Sequence, residues 1–237
     1  MKTAGLIGGI AWPSTLTYYR LINQHVQHAL GNRHSARCVI VSLDFAEVYA
    51  DMSAGNPAGA CARMQSAARQ VRAAGADLVA ILANTGHFAG AEVQAAAGLP
   101  LVHIATESAQ AIRAARPDLR KLGLLGTSFS LQAAFFGRMF VQEAGFELVL
   151  PTPAQQRQLD ALIFGDLAMG CADAQESARN ARAVNALCAS LHDRGAHGVV
   201  LGCTELGVLL PHLHLPIPVY DTTDLHARAI VREMLDN

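Results

Sequence analysis

AGADLVAILANT, Ala74 to Thr85, and RGAHGVVLGCTE, Arg194 to Glu205, are two versions of one design. Each passes a glycine, runs through an apolar strand and ends in a small polar loop. At an offset of 120 residues, Gly75 stands over Gly195, Ala76 over Ala196, Val79 over Val199 and Ile81 over Leu201. Further out, TAGLIGG (Thr3 to Gly9) matches KLGLLGT (Lys121 to Thr127) at an offset of 118, with Gly5 over Gly123 and Gly8 over Gly126. Each of these strands leads through a tight turn into a helical pattern. The first has apolar positions at Leu16, Tyr19, Ile22, Val26 and Leu30, and the second runs roughly from Leu131 to Ala144. A weaker match sets LPLVHIATES from Leu99 against LPIPVYDTTD from Leu215, with one residue inserted.

Three matches in the same order predict an internal duplication of a βαβ-type unit. The expected fold is α/β: two pseudo-symmetric Rossmann-like domains, each around a central parallel sheet. Residues 1–98 plus 219–237 form the first and 99–218 the second. Ligands of open parallel sheets bind beyond the carboxyl ends of the strands. The loops at Ala83 and Cys203 are therefore expected to line one cleft between the domains, and to form the active site there.

Composition agrees with a buried core. Of 237 residues, 51% are hydrophobic and 16% charged, and the 20 glycines suit an α/β chain. The formal charge is -1, and the basic residues form no cluster with aromatics, which argues against nucleic acid as a partner. No apolar run reaches the ~18 residues of a membrane span, so no membrane partner is expected. The start MKTAGLIGGIAW breaks at Gly8-Gly9 and reads as the first strand, not as a leader. The five cysteines, Cys38, Cys61, Cys171, Cys188 and Cys203, are odd in number and lack C-x-x-C spacing. That argues against a disulfide framework and a zinc site, and points to the cytoplasm. Cys61 and Cys188 lie in alanine-rich helical patterns and read as small buried hydrophobes.

Cys203 differs, because it stands on the polar lip of its strand. Its thiolate would be a base or nucleophile. Backbone amides of the following turn are expected to lower its pKa and to bind a substrate carboxylate. Asn84 and Thr85 read either as helix caps or as ligand-binding groups. Thr127 and Ser128 are weaker candidates of the same type. His87 reads as structural before catalytic, and Glu205 as a group that raises the thiol pKa, orients a ring or caps a helix. His212 and His214 have no third ligand nearby, so no metal is expected.

These residues resemble the cofactor-independent aspartate/glutamate racemase family over nearly the whole chain. The resemblance lies in MKTAGLIGGIAWPSTLTYYRLIN, in HSARCVIVSLDFAEV, in N-T-x-H at Asn84 to His87 and in L-G-C-T-E at Leu201 to Glu205. It implies two α/β domains with the site between them, a homodimer, no cofactor, and a small-molecule amino acid or related carboxylic acid as the partner. It also implies that one cysteine removes the α-proton while a second group reprotonates the opposite face. Carried over, Cys203 is the second-half acid/base, and Asn84, Thr85 and Thr204, with Thr127, bind the carboxylate.

Three positions depart from the pattern. Ala83 stands at the partner acid/base and cannot transfer a proton. YADMSAGNPAG holds no arginine, and Gln158 stands nearest to the expected lysine. The residues that would clamp a distal carboxylate are therefore replaced. The leading expectation is an amino-acid racemase or epimerase, weak or inactive as written. The alternatives are a single-cysteine decarboxylase or cis/trans isomerase of the same superfamily, or a non-catalytic small-molecule binding protein.

Overall fold

The computed structural model describes residues 1–31, 33–132, 134–168 and 174–236. Cys171 lies outside these. The chain divides into two compact units, Met1–Ile104 with His226–Asn237, and Ala105–Leu225. The first holds strands β1 (Ala4–Gly8), β2 (Cys38–Ser42), β3 (Leu78–Ile81) and β4 (Leu101–Val102), in the order β2-β1-β3-β4. The second holds β5 (Lys121–Leu125), β6 (Glu147–Val149), β7 (Val199–Leu201) and β8 (Val219–Asp221), in the order β6-β5-β7-β8. All pairings are parallel.

The central strands read as continuous apolar runs because both of their faces are covered. In β1 and β3, Leu6, Leu78 and Ala80 pack with Tyr18, Ile22 and Val26 of the helix Trp12–Leu30 and with Ile230 and Met234 of the C-terminal helix. Ile7, Val79 and Ile81 pack on the other face with Met64 and Val71 of the helix Pro57–Ala73.

The duplication holds at the level of single bonds. Gly5 pairs with Val79, and Gly123 with Val199. The helices that lead into β3 and β7 end alike, with Gly75 at φ 89° and Gly195 at φ 92°, the left-handed region that glycine enters without a Cβ penalty. The next amides, Ala76 and Ala196, donate to Val71 and Leu191. The third match needs a correction. Val79 pairs with Leu101 and Val199 with Val219, an offset of 118, two more than the alignment of Leu99 with Leu215, where one inserted residue was expected.

The first helix also turns differently from expectation. Its buried side carries Thr15, Tyr18, Ile22 and Val26, whereas Leu16 is 58% and Tyr19 47% exposed, and Leu30 is exposed as well. The cause is local. The Gly9 amide donates to Thr15 Oγ1 at 2.8 Å, and Tyr18 Oη bonds His226 Nδ1 at 2.9 Å, which turns these two side chains inward. The helix expected from Leu131 to Ala144 is found as Ser128–Gln132 and Ala134–Phe136, continued by a wider π-type turn over Gly137–Glu143. Phe140 is buried from that turn.

Gly5 and Gly123 let a helix approach the sheet. A Cβ on Gly5 would lie 2.8 Å from Val71 Cβ, and one on Gly123 would lie 2.8 Å from Leu191 Cδ1. Gly5→Ala and Gly123→Ala are each expected to destabilise their unit by about 1–3 kcal/mol, the usual cost of overpacking. Urea unfolding curves check this, and a loss below ~0.5 kcal/mol at either site would contradict the packing described.

Candidate active site

In each unit the chain leaves the first strand toward one edge of the sheet and returns on the other side. The carboxyl ends of β1 and β3, and of β5 and β7, are thus topological switch points. The two switch points are closed by the same bond. Leu82 N–H donates to Ile7 O at 2.8 Å, and Gly202 N–H donates to Leu125 O at 2.6 Å. The next residues are Ala83 and Asn84 in one unit, and Cys203 and Thr204 in the other.

In the first unit Ala83, Asn84 and His87 are all buried. Asn84 precedes a 3-10 helix, Thr85–Ala89, but its side chain makes no capping bond, so the capping alternative does not hold for it. Thr85 opens the helix. His87 is locked. Its Nδ1 bonds Ala83 O at 2.9 Å, and its Nε2 accepts the Ile104 amide at 3.2 Å, which fixes the tautomer as Nδ1–H. Burial, with the His103 and His226 rings beside it, holds its pKa well below the ordinary histidine range. His87 is therefore a neutral brace for the loop. His226 is a second such brace, bonded to Val102 O at 2.9 Å, with its pKa pushed down to about 3 by burial.

Arg63 stands in the helix after the YADMSAGNPAG stretch, on the face toward Glu47 and Asp51. It bonds both carboxylates, Asp51 at 2.8 Å, so its charge is already matched.

In the second unit Thr127 Oγ1 accepts the Ser130 amide at 3.1 Å and bonds Ser130 Oγ at 2.9 Å, which makes Thr127 a helix cap. The Ser128 amide donates to Asp160 Oδ1 at 2.8 Å. Gln158 is exposed on its helix, while Gln156 and Asp160 reach the loop. Cys203 is 5% exposed, and its Sγ donates to Glu205 Oε2 at 2.9 Å. Thr204 Oγ1 donates to the same oxygen at 2.8 Å. Burial first, then the Glu205 charge and hydrogen bond, hold the Cys203 thiol well above the ordinary range, and Asp160 adds to this. The expected lowering of the thiol pKa is thus reversed, because burial, reinforced by the carboxylate in the turn, outweighs the backbone amides. At neutral pH the group is a thiol, an acid poised to give a proton.

The profile of the Asp/Glu/Hydantoin racemase family matches residues 7–230. The chain belongs to this family. Over 164 residues it is 25% identical to the broad specificity amino-acid racemase RacX of Bacillus subtilis, covering 68% of this chain and 66% of that protein. A crystal structure assigned as an Asp/Glu racemase, from Yersinia pestis, is 34% identical with a TM-score of 0.86, covering all of both chains. An aspartate racemase homologue from Pyrococcus horikoshii is 28% identical with a TM-score of 0.79, again over the full length of both.

The second unit places more polar groups around Cys203 than the L-G-C-T-E motif announces. Asp160 and Gln156 come from a helix far from L-G-C-T-E, and no local spacing marks them. Asp221, at the end of β8, has its pKa pushed up to about 6 by burial and accepts the Thr223 amide at 2.9 Å. Among the described residues no group of three or more His, Cys, Asp or Glu is placed to hold a metal, and no helix is long and apolar enough to cross a membrane.

Glu205→Gln keeps an acceptor for the thiol and removes the charge. The Cys203 pKa is expected to fall, and each unit of fall raises the thiolate fraction about tenfold. Alkylation of the Cys203 peptide, followed by mass spectrometry across pH, checks this. An unchanged midpoint would show that Glu205 does not control the thiol.

Proposed function

We propose that the chain is a cofactor-independent amino-acid racemase or epimerase whose one proton-transfer side chain is Cys203. The observation that carries this reading is the thiol at the switch point of the second unit, hydrogen-bonded to Glu205 and followed by Thr204. Abstraction of an α-proton needs the thiolate. That state forms when the Sγ–H proton is lost to solvent, and uptake of a proton restores the acid. Asn84, Thr85, Thr204 and Thr127 are assigned to the substrate carboxylate, Thr127 from a loop that its bonds to Ser130 hold in place.

Racemisation also needs a proton donor on the other face of the carbanion, and Ala83 supplies only a methyl group at the matching position of the duplication. Weak or absent racemisation is therefore expected of the chain as written. The reading keeps the cytoplasmic setting expected from the cysteines and the homodimer implied by the family.

Ala83→Cys is expected to raise exchange of the α-proton in deuterated water by at least about 100-fold, the scale of one positioned acid/base group. Cys203→Ala is expected to abolish exchange in that background. No exchange of any amino acid by Ala83→Cys would overturn the reading.

A second reading is supported by the resting state of the thiol. A single protonated thiol suits protonation of a carbanion left by decarboxylation. The two chemistries have opposite pH signs. A thiolate base gains rate as pH rises toward the raised pKa, whereas a thiol acid is flat through neutrality and loses rate only when that pKa is passed. The pH profile of turnover by the unaltered chain separates them: a rising limb supports proton abstraction, and a flat one supports decarboxylation.

A further inference from the structure

We propose that Asp160 sets substrate choice and that the site takes amino acids with a second, side-chain ammonium, not the acidic amino acids that name the family. This rests on the reading of Cys203 as the reactive group.

Asp160 lies on the helix Pro153–Leu162. Its Oδ1 accepts the Ser128 amide at 2.8 Å and Gln156 Nε2 at 3.0 Å. Both bonds fall on Oδ1, and among the described residues Oδ2 has no donor. Gln156 Nε2 also donates to Gly126 O at 2.9 Å. Because both partners of this nitrogen are acceptors, the amide can stand only this way round. Its Oε1 is buried and has no hydrogen-bond partner among the described residues. An acceptor in that state is costly, so the orphan calls for a donor.

The pair lies beside the thiol. Gly126, whose carbonyl Gln156 holds, packs on the residue before Cys203, since a Cβ on Gly126 would stand 3.0 Å from Gly202 O. Asp160 and Glu205 are also the charges that weigh on Cys203, and both are negative. An ammonium brings three N–H donors and one positive charge, which matches a carboxylate and an amide oxygen that both lack a donor. A distal carboxylate would meet two like charges and an acceptor instead. The position where the family would carry a lysine holds exposed Gln158, which brings no cation.

The test compares L-lysine, L-norleucine and L-glutamate. Norleucine has the length of lysine without its ammonium. In Ala83→Cys, α-deuterium exchange is expected to show kcat/KM for lysine at least tenfold above both others. Asp160→Asn, which retains the acceptor for Ser128, is expected to lower the ratio of kcat/KM for lysine to that for norleucine at least tenfold, because any effect of the lost charge on the thiol is common to both substrates. An equal loss for lysine and norleucine would mean that Asp160 holds the α-amino group or only the loop, and would overturn the proposal. A lead for glutamate would overturn it too. Melting temperatures of the unaltered chain with each compound give the comparison without turnover. A rise with lysine that Asp160→Asn abolishes supports the proposal even if no exchange occurs, in which case the racemase reading alone falls. A rise with glutamate equal to or above that with lysine overturns the proposal and leaves the racemase reading standing.

Discussion

The bond from Leu82 N–H to Ile7 O, with its counterpart from Gly202 N–H to Leu125 O, decides where polar chemistry can occur in this chain. Each bond carries the parallel pairing one residue past the strand and then ends it. The residue that follows is released at the switch point, where the backbone no longer has a ladder to satisfy and side chains can turn toward a ligand. Everything upstream serves that placement. Gly5 and Gly123 let the preceding helix sit on the strand, and Gly75 and Gly195 reverse the chain so that the next strand arrives in register. One backbone solution has been used twice, and the two copies differ in what they release.

The difference continues beyond Ala83 and Cys203. At the offset of the duplication, His87 corresponds to Gly207, and by strand register His103 corresponds to Asp221. In the first unit the two rings lie 4.6 Å apart and fill the space behind the loop. In the second, a Cβ on Gly207 would lie 2.8 Å from Asp221 Oδ2, so a carboxylate occupies the room that a ring takes elsewhere. The first loop is braced by neutral groups, while the second is surrounded by acids.

These features were unequally legible in the sequence. The two parallel sheets and the matching of the stretch before Ala83 with the stretch before Cys203 could be read because glycines and β-branched runs report constraints of backbone and core, which act locally. The buried face of the first helix could not, because Leu16 and Tyr19 are as apolar as the residues that replace them inside, and the choice is made by the bonds of Thr15 and Tyr18 to distant partners. The slip in the third match has a similar origin: Leu99-Pro100 and Leu215-Pro216 look alike, but strand pairing sets Pro100 O and Pro218 O on the Val79 and Val199 amides. Asp160 and Gln156 were hidden for a topological reason. They reach the site from a separate helix, and in sequence they are ordinary polar residues of an amphipathic segment.

The acids around Cys203 join binding to activation. A thiolate beside Glu205 and Asp160 would place a third negative charge in a buried space, which is why the thiol holds its proton. A cation bound at Asp160 would offset one of the two carboxylate charges at short range, where the interaction is strong. The thiol would then become a better base only when the site is occupied. Such a site stays an acid toward water and is charged for proton abstraction by the substrate itself, so discrimination between substrates and activation of the thiol follow from the same two carboxylates.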